Sequence, residues 1–415
     1  MTAQLIRNGT LIDGNGGDPI PGGALLIEND RISAVGREGT FTVPAGAVEI
    51  DAGGGTILPG LIDTHVHIMM EGLNLQKTLT TPFSLNFYQA IEYMRRTLDA
   101  GITTVRDAGG ADFGVKQAVE RGLIVGPRMQ ISISVLSITG GHGDGWMLSG
   151  NEISLFQPYP GNPDGRCDGP EEVRRKVREI LRAGAEVIKV CSTGGVGSPT
   201  DHPDFTQFSP EELAIMVQEG RYRRGIKVMA HAQGSEGIKN AVRAGIHLDR
   251  ARLLARRRGD QPDAGARHLP RPHPRRAARR ARIGRAIERR ARICPAKGPR
   301  LPGRAQRQHR LRLPRGCEDR HGHRRRRRAA RHQPARTRPD VRPRPDPDGI
   351  ARRHHQSRRR MPRLAGSHRY LASGKLADAV ITRTDPLADI RSLEQTSNIA
   401  LVMKGGQLVK DIRHA

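Results

Sequence analysis

The sequence has few cysteines and no long apolar segment. Its four cysteines, Cys167, Cys191, Cys294 and Cys317, show no paired spacing, which argues against a disulfide framework and favours a reducing compartment. No apolar run approaches the roughly 20 residues that cross a bilayer, and no basic start followed by an apolar segment stands at the N-terminus. We therefore expect a cytoplasmic protein with neither a membrane span nor a signal peptide.

Acidic and aromatic residues are scarce in one internal block, residues 248–370. It contains 40 arginines and one lysine against nine acidic residues, so that it carries +32 and the rest of the chain carries −4. Its single aromatic residue is Tyr370, and it has almost no apolar periodicity. Such a composition cannot build a packed core, and the block is predicted to be disordered. The basic charge that would suggest a nucleic-acid-binding protein is confined to this block.

Residues 58–247 alternate between helical and strand patterns. In the segments LDAGITTV, LRAGAEVIKV, YRRGIKVMAH and VRAGIHL, a helical stretch ends at a glycine and an apolar strand follows at once. Glycine is the usual left-handed residue after a helix, and β-branched runs are typical of buried parallel strands. Ser209, Pro210 and Glu212 mark one helix start. The pattern predicts a (β/α) barrel or a doubly wound sheet.

The two ends of the chain have a different pattern. Residues 1–57 and residues 372–412 contain short strands separated by glycine- and asparagine-rich turns. We interpret them as one small composite β-sandwich into which the barrel is inserted, since chain termini often converge on one domain. Two unrelated β ends are the alternative.

Three strand segments carry residues with metal-binding chemistry. In LPGLIDTHVHI, His65 and His67 project to the same face because strand side chains alternate with a period of two. Lys189 lies in the apolar strand of EVIKVCSTGG, where burial favours a neutral amine that can react with carbon dioxide to give an anionic carbamate. A lysine that reaches water at a strand end is the alternative. His231 in KVMAHAQG stands at the carboxyl end of a strand, the catalytic end of such barrels.

Four motifs in chain order, PGLIDTHVHI, SITGGHGD, VIKVCSTGGV and AHAQG, resemble the amidohydrolase superfamily, in the branch of imidazolonepropionase-like enzymes and Xaa-Pro dipeptidases. The resemblance covers residues 1–247 and 372–412. It implies a (β/α)8 TIM-type barrel with two divalent metal ions, for which histidine and carbamate ligands favour zinc. It also implies hydrolysis of a C–N bond by a metal-bridging hydroxide.

The resemblance assigns a role to each of these residues. His65 and His67 would bind one metal. Lys189, as its carbamate, would bridge both metals, and His231 would bind the second. His142 of GGHGD would lie over the substrate, with a structural role as the alternative. The implied substrate is a small amide or dipeptide, of the Xaa-Pro or N-acyl amino acid type, and a homo-oligomer is compatible with the family.

Arg106 in TTVRDAGG is a further candidate. It could meet a substrate carboxylate, although a salt bridge with Asp107 or another acid is the favoured interpretation.

Two residues of the family pattern are missing from the written chain. One is a histidine in a Glu-His-Gly after the sixth strand, and the other is a metal-binding, proton-transferring aspartate in a Gly-Thr-Asp after the eighth. Without them and without the strands around them, the barrel is incomplete. We therefore expect the chain as written to be inactive.

The basic block has the composition of a GC-rich gene translated in the wrong frame. Shifted by one base, with wobble bases chosen to suit, residues 248–253 read Ser-Ile-Glu-His-Gly and residues 317–325 read Ala-Lys-Ile-Ala-Thr-Gly-Thr-Asp-Ala. Two further stretches give family-like sequence at the same offset and in family order. We interpret the block as out-of-frame translation, entered near His247 and left near Tyr370, through a sequencing error or through a real change that leaves a dead product.

A binding module is the competing interpretation. An amidohydrolase half-barrel would then carry a genuine basic arm, because arginine-rich segments bind nucleic acids through their phosphates. The block lacks the aromatic residues that stack on bases, and it takes the place of a core part of the barrel. Nucleic acid is therefore the disfavoured partner.

Overall fold

A computed structural model describes residues 3–72, 74–154, 156–196, 200–251 and 370–414. All of them belong to one compact unit. Cys294, Cys317, residues 252–369 of the block predicted to be disordered and the motif expected at residues 317–325 lie outside the described residues. Residues 248–251 of that block belong to a strand, His247–Ala251, so the prediction of disorder is wrong there. No helix in the described ranges is long and apolar enough to cross a membrane.

The N-terminal region forms strands β1 Ala3–Leu11, β2 Ile20–Glu28, β3 Arg31–Arg37, β4 Val48–Asp51 and β5 Thr56–Pro59. Strand β1 is central, since it pairs antiparallel with β2 and parallel with both β4 and β5. Residues 23–27 of β2 are all buried, so both faces of this strand are covered.

The next region alternates strands and helices from residue 61 to residue 251. Its elements are β6 Leu61–Val66, α1 Leu75–Thr80, α2 Leu85–Asp99, β7 Ile102–Asp107, α3 Phe113–Glu120, β8 Arg128–Ile131, β9 Val135–Leu136, α4 Gly169–Arg182, β10 Val187–Cys191, α5 Pro210–Tyr222, β11 Lys227–Ala232, α6 Ser235–Arg243 and β12 His247–Ala251. Every strand pair among them is parallel.

The predicted closed barrel is not present in the described part of the chain. These strands form a three-stranded sheet, β6-β7-β8, and a four-stranded sheet, β12-β11-β10-β9. The two sheets are separated in the chain between β8 and β9. There, Ile133 adopts a left-handed conformation with φ of 67°, and its carbonyl accepts a hydrogen bond from Gly110 N. The closing strands were expected within residues 248–370, most of which lie outside the described ranges.

The predicted helix-to-strand junctions are confirmed. After α2, α4, α5 and α6, a glycine with positive φ precedes the next strand, namely Gly101, Gly184, Gly225 and Gly245. The predicted helix start is confirmed as well. The hydroxyl of Ser209 accepts from Glu212 N, and the Glu212 carboxylate accepts from Ser209 N, which is the reciprocal capping box.

Strands β13 Ala379–Thr382, β14 Ile399–Lys404 and β15 Gln407–Asp411 return to the N-terminal region. Strand β13 pairs antiparallel with β5, with Val380 opposite Leu58. Both termini thereby share one hydrogen-bonded sheet of eight strands, in the order β15-β14-β13-β5-β1-β2-β3 with β4 beside β1. The division into a terminal domain of 1–57 with 372–412 and a barrel domain from 58 stays a prediction.

Candidate metal centre

Two histidines stand at the carboxyl end of β6. Their ring centroids lie 5.6 Å apart and the rings are nearly perpendicular. His65 belongs to the strand and His67 follows its last residue, so the two side chains occupy the same face, as the period-two pattern predicted. The pair is therefore placed where two imidazoles can face one ligand.

The orientation of His67 is set by a backbone carbonyl. Its Nδ1 atom lies 3.0 Å from the carbonyl oxygen of Gly109. A carbonyl only accepts hydrogen bonds, so Nδ1 must carry the proton and Nε2 keeps a lone pair. This tautomer is the one that ring-oriented, metal-binding histidines use.

Lys189 is buried at the centre of β10, with 2% of its surface exposed. Its Nζ atom lies 3.3 Å from Nε2 of His65. Strands β6 and β10 belong to different sheets, so this contact joins the two sheets through their inner faces. The structure thus brings together Lys189 and His65, as the resemblance implied, at a site with little water.

Asp107 is a buried carboxylate beside this histidine pair, and the sequence analysis considered it only as an ion-pair partner of Arg106. Its carboxylate accepts hydrogen bonds from Ile68 N at 2.8 Å, Gly109 N at 3.0 Å and Ala111 N at 3.2 Å. Burial raises the pKa of this carboxyl to about 7, although the three backbone donors act in the opposite direction. The aspartate therefore supports both the residue after His67 and the loop whose carbonyl orients the His67 ring.

A signal for this role was present in the motif RDAGG, because a strand-end aspartate before small residues commonly accepts backbone N–H bonds in the turn that follows. Arg106, for which a salt bridge with Asp107 or another acid was expected, donates its Nε to the carbonyl of Thr64 at 2.9 Å. The two side chains diverge because neighbouring residues of a strand point to opposite faces.

His231 and His142 form a second group. Their rings stack with centroids 4.3 Å apart and an interplanar angle of 22°. His142 Nδ1 lies 3.1 Å from the Asp201 carboxylate, which also accepts from Gly195 N at 2.8 Å. Burial lowers the pKa of His142, and the charge of Asp201 opposes this shift. The loop histidine is therefore held in one orientation against the strand histidine.

Asp201 and Gly195 could not be identified from the sequence. Asp201 is fully covered in its side chain and lies 59 positions from His142. A Cβ atom placed on Gly195 would lie 2.1 Å from Cε1 of His142, so only glycine allows the imidazole to pack there. No motif or spacing signalled either contact.

The described residues fit a metal pair in donor type but do not complete it. They supply imidazoles, which suit zinc, and a buried lysine amine, which would become an anionic ligand only as its carbamate. Within the described ranges, however, no group of three or more His, Cys, Asp or Glu is placed to hold a metal ion. Cys167 and Cys191 are free and buried, and burial raises the pKa of the Cys191 thiol to about 11, which makes it a poor ligand.

Comparisons with known proteins agree with this chemistry. The sequence pattern of the Amidohydrolase family matches residues 56–277. An ochratoxinase of Aspergillus niger is 36% identical over 264 residues, which cover 58% of this chain and 52% of that protein. An enamidase of Eubacterium barkeri is 30% identical over 242 residues, covering 57% and 51%. The chain thus spans about half the length of the curated relatives it matches.

Solved structures resemble the chain over a greater length. A prolidase crystallised with N-methylphosphonate-L-proline is 26% identical with a TM-score of 0.66, covering 99% of this chain and 100% of that one. The crystal structure of Aspergillus niger ochratoxinase is 24% identical with a TM-score of 0.65, covering 99% and 96%. At 24% identity, the likeness to the ochratoxinase structure concerns the fold alone.

Proposed function

Because the chain belongs to the amidohydrolase family, we propose that it hydrolyses the C–N bond of a small amide, of the Xaa-Pro dipeptide or N-acyl amino acid class. The observation that carries the proposal is the 3.3 Å approach of Lys189 Nζ to His65 Nε2. A lysine is almost never fully buried without a partner, and a partner at the carboxyl end of a barrel strand is typical of a catalytic site. The likeness to a prolidase with a proline-based ligand supports the choice of substrate class.

We propose that two divalent metal ions, with zinc favoured, occupy this site. His65 and His67 would hold one ion, His231 would hold the other, and Lys189 as its carbamate would lie between them. When bound, such ions supply an activated water and polarise the amide carbonyl. Both the ligand roles and the identity of the metal rest on the resemblance and on the donor types present.

The chain's own residues position this chemistry. Gly109 O fixes the His67 ring, and Asp107 holds the backbone on either side of that interaction. His142, oriented by Asp201, would hydrogen-bond the substrate through its second ring nitrogen. Because the Asp201 carboxylate accepts at Nδ1 and burial favours the neutral imidazole, this nitrogen, Nε2, would keep a lone pair and accept a hydrogen bond from the substrate.

The proposal requires residues that the written chain lacks. The expected histidine and proton-transferring aspartate appear only when residues 248–370 are read one base out of frame. The family match ends at residue 277, inside that block. We call the product of the shifted reading the frame-restored protein, and we propose that it is the active form.

The test compares the chain as printed with the frame-restored protein. Both are purified, their metal content is measured by elemental mass spectrometry, and both are assayed against Xaa-Pro dipeptides and N-acyl amino acids. We expect close to two metal ions per chain and amide hydrolysis only for the frame-restored protein. A frame-restored protein that folds, binds metal and hydrolyses no C–N bond would rule the proposal out.

A further inference from the structure

A cavity of about 110 Å³ opens beside the candidate metal centre. It is bounded by α1, α2, described residues that follow β6, and residues 154 and 156–162. Five of the thirteen aromatic residues of the chain line it, namely Phe83, Phe87, Tyr93, Phe156 and Tyr159. Because the chain contains so few aromatic residues, their collection at one cavity distinguishes it from the rest of the described surface.

Three of the rings form a preorganised wall. Phe83 contacts Phe87 with centroids 5.4 Å apart at 79°, and it contacts Tyr159 at 5.0 Å and 63°. Phe87 and Tyr159 complete the set at 5.9 Å and 80°. Edge-to-face packing of this kind is the favoured geometry for aromatic pairs. The rings therefore hold one another in place and leave faces and edges for a fourth ring.

Phe156 connects this wall to the metal centre. Its ring lies 5.2 Å from the ring of His67, at an angle of 36°. A Cβ atom on Gly110 would lie 3.1 Å from Phe156 Cε1, and Gly110 has a φ of 111° that favours glycine. The backbone is thus built to let Phe156 reach across to His67. One lining residue of the cavity therefore contacts a proposed metal ligand.

About half of the residues that line the cavity are polar. Lys77 donates to Tyr93 Oη at 3.1 Å and to Glu71 at 3.2 Å, so its charge is already engaged. The amides of Asn86 and Gln89 also line the space and are suited to polar atoms at the edge of a ligand. A small apolar cavity of the order of 150 Å³ holds one benzene molecule, and this one is of similar size.

We propose that the cavity is the substrate's aromatic subsite. It would bind a six-membered ring joined to the reacting amide by a short carbon chain, so that aryl- or arylalkyl-bearing amides are the preferred substrates. The assignment of the ring to a substrate rests on the proposed function. The ability of the cavity to bind such a ring does not rest on the proposed function, because the lining residues are distinct from the proposed metal ligands.

The test measures binding of 3-phenylpropanamide, 3-cyclohexylpropanamide and butanamide to the full-length chain, with a chelator present, by ligand-observed NMR titration. We expect the phenyl compound to bind about tenfold more tightly than butanamide, since only its ring is buried in the cavity. We also expect the cyclohexyl compound to bind more weakly than the phenyl compound, because it lacks the aromatic contacts.

Two variants of helix α1 provide a matched pair. Thr78→Phe places a ring in the cavity and should weaken binding of the phenyl compound about tenfold or more. Leu79→Phe adds the same ring at a position that is 62% exposed and should leave binding unchanged. Equal binding of all three amides, no binding at all, or no effect of Thr78→Phe would overturn the subsite.

Circular dichroism and thermal melting check whether Thr78→Phe folds. A further substitution tests the subsite independently of that variant. Phe156→Leu keeps an apolar side chain and should abolish the preference for phenyl over cyclohexyl. Retention of that preference would also count against the subsite. Binding of the phenyl compound without hydrolysis of any amide by the frame-restored protein would defeat the proposed function and leave the subsite standing.

Discussion

The Nζ atom of Lys189 lies 3.3 Å from Nε2 of His65, although the two residues stand 124 positions apart and on strands of different sheets. A buried amine and an imidazole that converge in this way have little structural reason to do so. Under the proposed function, their approach marks the reactive site beside the carboxyl end of β6.

The first prediction concerns Lys189. Its carbamate should give a new carbonyl signal in ¹³C NMR when the frame-restored protein is incubated with ¹³C-bicarbonate and zinc. Lys189→Ala should remove this signal and lower activity at least about 100-fold, because the bridging anion is lost. Lys227→Ala, at an exposed position of β11, is the control and should change neither. If an added short-chain carboxylate partly restores the activity of Lys189→Ala, the bridging role is supported. Full activity of the variant without it would contradict that role.

The second prediction concerns Asp107. Asp107→Asn replaces an oxygen that accepts backbone N–H groups with an amide that donates, leaving at least one of three buried N–H groups without its acceptor. We expect a loss of about 1–3 kcal/mol in the free energy of unfolding and a zinc affinity lowered about 10- to 100-fold. Urea denaturation and zinc titration measure the two effects. An unchanged zinc affinity in a destabilised variant would show that Asp107 has only a structural role.

The third prediction concerns Gly195. Gly195→Ala places a methyl group where the His142 ring lies and should displace that ring from Asp201 and His231. We expect activity of the frame-restored protein to fall at least about tenfold with its metal content unchanged. Gly17→Ala, where an added Cβ meets no atom within 4 Å, is the matched control. Loss of metal together with activity would instead mean that His142 supports the metal site itself.

The fourth prediction concerns Glu219 of α5. Its side chain is 5% exposed and pairs with Arg178 and Arg174 of α4. The hydrogen bond from Arg178 has the largest effect, and together the two arginines lower the pKa of Glu219 below its ordinary value of 4.5. Glu219→Gln should lower the free energy of unfolding at pH 7 by about 1–2 kcal/mol, a figure reduced because the Arg178 side chain is 57% exposed and screened.

The pH dependence of this effect has a definite sign. Because the folded-state pKa is the lower one, the charged carboxylate stabilises the fold above pH 4.5, and that contribution is lost as the pH falls through the folded-state pKa. The difference between Glu219→Gln and the parent should therefore shrink below pH 4.5 in urea denaturation. Glu171→Gln, whose side chain is 90% exposed, should show no such difference at any pH.

The fifth prediction concerns the reading frame. Sequencing the source DNA across the codons of residues 240–375 should show wobble bases that spell Glu-His-Gly and Gly-Thr-Asp one base out of frame. If they spell something else, the basic-arm interpretation replaces the interpretation of residues 248–370 as out-of-frame translation. In that case, the purified chain should bind nucleic acid with an affinity that falls steeply with salt.

Local features of this protein were determined by the sequence itself. The glycine-ended helices, the capping box of Ser209 and Glu212, and the shared face of His65 and His67 depend on neighbours a few positions apart, and the structure has each of them. Propensity, capping and the two periodicities act over such distances, so they can be inferred from one chain. The family resemblance was likewise carried by short motifs.

Only the tertiary structure decided which of these elements meet. The pairing of β5 with β13, the contact of Asp201 with His142, the support of His67 by Asp107 and the aromatic cavity all join distant segments. Such contacts depend on how sheets and loops pack, and packing leaves no periodic mark in the sequence. The arrangement of the described strands of this region in two sheets, with a left-handed Ile133 between β8 and β9, was likewise visible only in the structure.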